Sequence, residues 1–331
     1  MKLQLPETAE IWSIRNEQQF NNVALKTFRF QYDNVAIYRE FVDTLKIDPN
    51  SIEHFSDIPF LPISFFKTQS VYPQQYPKPE VVFSSSGTTG SDRSQHKIHK
   101  LKTYRESFNR AFRQFYGKPE ELAILGLLPS YLEREGSSLI YMVDDLIGQS
   151  RIQESGYYLY DHEALRDQLL KLEDKKQPTL LIGVSYALLD FVEKYSLDLN
   201  HTTVMETGGM KGKRKEMVKE ELHRILQKGF GVESIHSEYG MTELLSQAYS
   251  SGHNIFQAPP WMKVLIRDTN DPFCYIENDS TGGLNIIDLA NRYSCSFIAT
   301  QDLGKLHDDG SFEVVGRFDN SDIRGCNLLV Q

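Results

Sequence analysis

The chain has 331 residues, 40% hydrophobic and 24% charged, the proportions of a soluble globular protein long enough for about two domains. A formal net charge of -9 repels nucleic acid and anionic lipid, so neither a nucleic-acid partner nor a membrane partner is expected. Cys274, Cys295 and Cys326 form no CxxC pair, the N-terminus lacks the apolar core of a signal peptide, and nothing approaches a continuous run of about 18 apolar residues, which together predict a cytoplasmic protein.

From the N-terminus, "NNVALKTFRFQYDNVAIYREFVDTL" has apolar residues at mixed three and four spacing and predicts amphipathic helices. "DIPFLPISFFKTQSVYPQQYPKPE" follows, and its prolines forbid a long helix. From residue 80 strands and helices alternate. "VVFSSS", "LAILGLLP", "PTLLIGVS", "TVMETGG" and "VESIHSEYG" read as strands. "KTYRESFNRAFRQFYG", "SSLIYMVDDLIG", "HEALRDQLLKLEDKK", "YALLDFVEKYS" and "KRKEMVKEELHRILQKG" read as helices. After about residue 260 short strands are expected in "MKVLIRD", "PFCYIEN", "GGLNIIDL" and "SFEVVGRFD", separated by Asn, Asp and Gly turns. The expected fold class is α/β, with a mixed, largely parallel sheet core flanked by helices and an antiparallel β subdomain. Residues 1–79 are expected to form a helical N-terminal segment with a Pro-rich connector, 80–260 the α/β core, and 261–331 the antiparallel subdomain and C-terminal tail.

"VVFSSSGTTGSDRSQHKIHK" (81–100) places a Ser/Thr/Gly cluster between a strand and a helix. Glycines let successive N–H groups converge and the hydroxyls add donors, which suits an anion such as phosphate. Neither the P-loop pattern nor GxGxxG is present, and a flexible linker remains the competing reading. Three further segments favour an anion site. In "HSEYGMTE" Tyr239 can stack on a base, Thr242 can touch a phosphate and Glu243 can hold Mg²⁺. In "METGGMKG" Gly208 and Gly209 offer bare backbone to a flat ring, and in "ATQDLG" Asp302 can accept two ribose hydroxyls.

In this order "SSSGTTG", "GG", "YGMTE", "TQDLG" and "GRFDNSDIRG" resemble the adenylate-forming superfamily, and most nearly the acyl-protein synthetases of the bacterial bioluminescence type, which "LLPSYLEREGSSLIYM" also resembles. The resemblance covers roughly residues 80–331, the first 70 contributing little. It implies the N-terminal part of the adenylate-forming fold, because the chain ends at Gln331, soon after Arg317, where full-length members continue into a small domain that carries a lysine contacting the reacting carboxylate. It implies ATP and Mg²⁺ as cofactors. Ser85, Ser86, Gly87, Thr88, Thr89 and Gly90 would hold the β and γ phosphates. Arg93 or Lys97 would stand in for the lysine that usually follows this loop. Tyr239 would lie against adenine, with Gly208 and Gly209 also in the cofactor site; Thr242 would bind the phosphate, Glu243 the metal, Asp302 and Arg317 the ribose, and Asp319 would be the hinge. The implied reaction is AMP-forming activation of a carboxylic acid, fatty or aryl. The acyl group would then pass to a thiol: Cys326 itself, an acyl carrier or partner protein, or CoA.

Two other readings compete. "LLIGVSYALL" sets Ser185 between a strand and a helix, as in a hydrolase nucleophile elbow, with His307 and Asp308 as the triad's other members. Alternatively the chain binds ATP or an acyl-adenylate without turnover, as one subunit of a complex. His96 and His99 read as solvated side chains, and Cys326 beside "NLLV" could equally be a small buried hydrophobe.

Overall fold

A computed structural model describes residues 5–85, 93–129, 136–208 and 217–318. The N-terminal segment holds α1 (Thr8–Trp12), α2 (Glu17–Asn34) and α3 (Ala36–Thr44), then β1 (Leu61–Pro62) and α4 (Phe65–Thr68). Asn16 caps α2 by accepting the Gln19 N–H at 3.0 Å, and Phe20, Val23, Ala24, Thr27, Phe28 and Gln31 form its buried stripe. The Pro-rich connector is not helical over any length, as its prolines require. It does carry β1, which joins a sheet.

The core follows as β2 (Val81–Ser84), β3 (Gln95–Ile98), α5 (Leu101–Tyr116), β4 (Ala123–Leu127), α6 (Ser138–Gln149), β5 (Gly156–Tyr157), α7 (His162–Asp174), β6 (Thr179–Val184), α8 (Ser185–Val192), β7 (Thr202–Thr207), α9 (Lys219–Phe230), β8 (His236–Tyr239) and β9 (Ala248–Ser250). One sheet runs β5-β4-β6-β7-β8-β9, parallel except for β9. Every residue of β4 and β6 is buried, which explains their unbroken apolar sequences. The strands run the same way, so the C-terminal ends of β6, β7 and β8 open on one edge. That edge is where such sheets bind ligands, and here it carries Ser185, Gly208 and Tyr239.

The remaining strands are β10 (Ile255–Phe256), β11 (Met262–Arg267), β12 (Gly282–Asp288), β13 (Phe297–Leu306) and β14 (Phe312–Arg317). They form an antiparallel sheet in the order β10-β14-β13-β12-β11, to which β1 adds in parallel beside β13. "PFCYIEN" is not a strand, contrary to expectation, and makes only an isolated bridge between Tyr275 and Arg267. Asp268 Oδ1 captures the N–H groups of Asn270 and Asp271, closing the backbone into a turn before a ladder can form. "ATQDLG" lies inside β13, whose register slips between Leu303 and Gly304. A Cβ at Gly304 would sit 2.1 Å from the Glu313 carbonyl oxygen, so the bulge requires glycine there. Among the described residues no helix is long and apolar enough to cross a membrane.

Candidate active site

The β2–β3 hairpin pairs Ser84 with Gln95, so the two ends of the Ser/Thr/Gly loop return to one place. At that neck the Ser94 N–H donates to Ser85 Oγ at 3.0 Å. Ser86, Gly87, Thr88, Thr89 and Gly90 lie outside the described residues, as do Gly209, Asp319 and Cys326. Alternation along β3 turns His96 and Ile98 inward and Lys97 to the other face, and Ser94, just before the strand, is buried as well.

The inward side chains meet the turn after β8. Ser94 is close enough to the Glu243 carboxylate to lower its pKa. His96 Nδ1 lies 2.8 Å from the Thr242 carbonyl oxygen, which can only accept, so the ring donates there. Its Nε2 lies 2.8 Å from the Ser294 hydroxyl oxygen and 3.0 Å from Asn291 Oδ1, and that hydroxyl donates to Asn291 Oδ1. Complete burial pushes the His96 pKa down to about 4, and the ring is neutral at physiological pH. The expectation of a solvated His96 is therefore wrong. Its partners are 146 and 195 residues away in sequence, and no local pattern announces them.

The same turn is held from below. Asp288 Oδ2 accepts the N–H groups of Leu245 at 2.7 Å and Ser246 at 2.9 Å, and its Oδ1 accepts the Ser246 hydroxyl at 2.6 Å. Asn291 Nδ2 donates to the Glu243 carbonyl at 3.0 Å. Gln31 of α2 in turn donates to the carbonyls of Asn291 and Arg292. Sequence reasoning missed Asp288, Asn291 and Gln31, because an Asp or Asn at a strand end is ordinary turn chemistry.

Glu243 is 5% exposed and, among the described residues, forms no ion pair. Burial raises its pKa, against the lowering influence of Ser94, its own backbone, Arg317 and Lys67. A buried carboxylate short of positive charge favours a cation. No group of three or more His, Cys, Asp and Glu side chains among the described residues could hold a metal by itself. One carboxylate with the remaining positions left to water and phosphate oxygens is the usual arrangement for Mg²⁺, and this donor set fits it.

Across from this turn, the Tyr239 hydroxyl donates to Asp302 Oδ2 at 2.8 Å and Arg317 Nε donates to Asp302 Oδ1 at 2.8 Å. Burial, then the Asp302 charge, pushes the Tyr239 hydroxyl pKa well up, and it remains a neutral donor. Its ring is wedged edge-on against Phe256 at 5.8 Å and Phe312 at 5.7 Å. Arg267 is buried under β13, donating to the carbonyls of Leu284 and Thr300. Tyr239, Thr242, Glu243, Asp302 and Arg317 thus gather where the parallel sheet meets the antiparallel one.

Other candidates fall elsewhere. Lys97 Nζ donates to Ser70 Oγ at 2.8 Å, on the face of β3 away from Glu243, and Arg93 is exposed. Gly208, with φ of 67°, ends β7 in the left-handed region. The buried Ser185 hydroxyl is 2.5 Å from the Gly208 carbonyl and 3.1 Å from Glu206 Oε2. His307 pairs with Asp279 at 2.5 Å and Glu313 at 3.1 Å on the second sheet, so the suggested Ser185–His307–Asp308 triad does not assemble.

The chain is similar to known proteins in sequence and in fold. The family model "Acyl-protein synthetase, LuxE" matches residues 8–129. The long-chain-fatty-acid–luciferin-component ligase of Vibrio harveyi is 23% identical, aligned over 97% of this chain and 90% of its own length. Among solved structures, ATP-bound MatB from Rhodopseudomonas palustris superposes with a TM-score of 0.53 at 16% identity, over 74% of this chain and 50% of that one. A 2-hydroxyisobutyryl-CoA ligase with bound 2-HIB-AMP and CoA superposes with a TM-score of 0.64 at 10% identity, over 92% of this chain and 75% of that one. The chain therefore spans about half the length of MatB and nearly all of the curated relative. The family match begins at residue 8, so the N-terminal helices belong to the shared region, contrary to the expectation that they contribute little.

Proposed function

We propose that this chain, similar to the acyl-protein synthetases and built on the adenylate-forming fold, activates a carboxylic acid with ATP, releasing pyrophosphate and forming an acyl-adenylate. The observation that carries the reading is the 2.8 Å contact by which His96, on the hairpin that closes the Ser85–Ser94 loop neck, holds the Thr242 carbonyl of the Thr242–Glu243 turn. A triphosphate held by the loop would then lie against the buried carboxylate. The Tyr239–Asp302–Arg317 chain opposite supports nucleoside recognition. Asp302 would exchange its present partners for the ribose hydroxyls, and the Tyr239 ring would face the adenine.

In the reaction a carboxylate oxygen of the acid bonds to the α-phosphorus while the bond to the bridging oxygen of pyrophosphate breaks. Negative charge accumulates on the phosphate oxygens, and donors fixed beforehand around them lower the barrier. Mg²⁺ at Glu243 would supply the positive charge that phosphate–phosphate repulsion demands. His96, Asn291 and Asp288 keep the turn backbone from moving as that charge develops. The acyl group is then proposed to pass to a thiol: Cys326, which lies outside the described residues, a carrier or partner protein, or CoA.

The test is acid-dependent pyrophosphate exchange into ATP across fatty and aryl acids. Exchange that requires one class of acid supports the reading. Binding of ATP without exchange for any acid would favour a non-catalytic nucleotide-binding subunit instead.

A further inference from the structure

The N-terminal segment packs against the two strands that carry Asp302 and His96. β1 lies parallel to β13, Leu61 opposite Ile298 and Pro62 opposite Ala299, and the Ile63 N–H donates to the Ala299 carbonyl at 2.9 Å. Asp302 is three residues further along β13. The chain turns there into α4, whose Phe66 is buried with its ring edge-on to His96, centroids 5.5 Å apart at 86°. One end of α4 is therefore pinned to the strand bearing Asp302, and its middle to β3, the strand bearing His96.

Lys67 follows Phe66 and is exposed. Its charge, like that of Arg317, lowers the pKa of the Glu243 carboxylate. Arg317 is already engaged by Asp302 at 2.8 Å, whereas among the described residues Lys67 forms no ion pair. The two lysine and arginine positions expected from the loop sequence do not compete, since Lys97 is held by Ser70 on the outer face and Arg93 flanks the loop on the surface.

We propose that Lys67 is the site's phosphate-contacting lysine, pairing with the pyrophosphate portion of ATP and with the pyrophosphate as it leaves. This rests on the ATP-dependent reading above and adds to it a residue from outside the motif segments. The role is electrostatic. As the α-phosphorus–oxygen bond breaks, its electron pair goes to the departing pyrophosphate, and the ammonium meets that growing charge without giving up or taking a proton. A flexible lysine on a short anchored helix suits a group that must follow the leaving phosphates, because it binds as a point charge with no fixed fork to satisfy.

Titration calorimetry of the full chain with Mg²⁺-pyrophosphate, and separately with AMP, tests this. Lys67→Ala is expected to weaken pyrophosphate binding by about 10- to 100-fold, the worth of one charge-assisted contact. Lys67→Arg should recover part of the loss, Lys97→Ala should bind as wild type, and AMP affinity should stay unchanged in all three. Equal pyrophosphate affinity in Lys67→Ala, or an equal loss for AMP, would overturn the assignment, as would a wild-type chain that binds no pyrophosphate. A wild-type chain that binds pyrophosphate through Lys67 but exchanges none with any acid would leave the assignment standing and refute the adenylation reading alone.

Discussion

Two carboxylates at the ends of neighbouring strands are buried to nearly the same degree and treated in opposite ways. Glu206, near the end of β7, receives Lys219 Nζ at 2.9 Å, the Ser237 hydroxyl at 2.7 Å and the Ser185 hydroxyl at 3.1 Å. Burial alone would raise its pKa, but His223, Lys219 and Ser237 outweigh that and hold it down to about 2. His223 Nε2 is 3.6 Å away, beyond hydrogen-bonding reach, so Lys219 and the hydroxyls carry most of the effect. Glu243, in the turn beyond β8, has Ser94 and no cation in contact, and burial raises its pKa. The first carboxylate is a finished structural joint between β7, α8 and α9. The second is left short of positive charge, which is the state expected of a group that waits for a metal and a polyanion.

The difference can be broken first at the joint. Glu206→Gln leaves the Lys219 ammonium, only 28% exposed, without its counter-ion, and is expected to cost about 3 kcal/mol in urea unfolding. The pH dependence carries a sign. A carboxyl whose pKa falls from 4.5 unfolded to about 2 folded contributes its stability in full above 4.5 and loses it as pH falls toward 2. Wild type should therefore lose stability across that window, and Glu206→Gln should lose less.

Glu243→Gln is the converse. It should reduce pyrophosphate exchange by about 100-fold, roughly the loss of one essential electrostatic group. It should not destabilise the free protein. Folding favours the protonated form of Glu243, so the charged form costs stability once pH rises through its raised pKa. The Gln variant is expected to melt at or slightly above wild type at pH 8. A fall of several degrees would mean that Glu243, too, is a structural joint.

Asp288 and His96 sharpen the comparison, because both serve Glu243 without touching solvent. Asp288→Asn turns an acceptor into a donor facing N–H groups, and should cost about 2 kcal/mol of stability together with exchange. For His96 two amides separate the roles of the ring nitrogens. Asn can keep a donor near the Nδ1 position, toward the Thr242 carbonyl, whereas Gln reaches the Nε2 side. His96→Gln is expected to lower kcat of exchange about 10-fold and His96→Asn about 2- to 3-fold, with similar melting temperatures, as one neutral hydrogen bond would give. Equal losses in the two variants would leave His96 a packing residue only.

These residues also mark how far the sequence could be read. The strands of the parallel sheet were legible because burial on both faces demands unbroken apolar runs such as "LAILGL". Tyr239, Thr242, Glu243, Asp302 and Arg317 were singled out through the resemblance that their motifs carry in order, and the Tyr239–Asp302–Arg317 contacts are what the structure adds. Partnership was not legible. His96, Asp288, Asn291 and Gln31 act through bonds that span tens to hundreds of residues, and each looks locally like a turn or surface residue. β1 was hidden by its proline, which an edge position in a sheet tolerates and a helix does not. Lys67 was hidden because the Pro-rich connector reads as a tether, although β1 and Phe66 pin it to both halves of the site.

The central claim, that a metal-bound triphosphate is held between the loop neck and Glu243, meets its most direct test in thermal unfolding with ATP, with and without Mg²⁺, for wild type and Glu243→Gln. Mg²⁺ should add several degrees to the ATP-induced rise in wild type and almost nothing in the variant, since a ligand stabilises in proportion to its binding. An identical Mg²⁺ increment in both proteins would contradict the account.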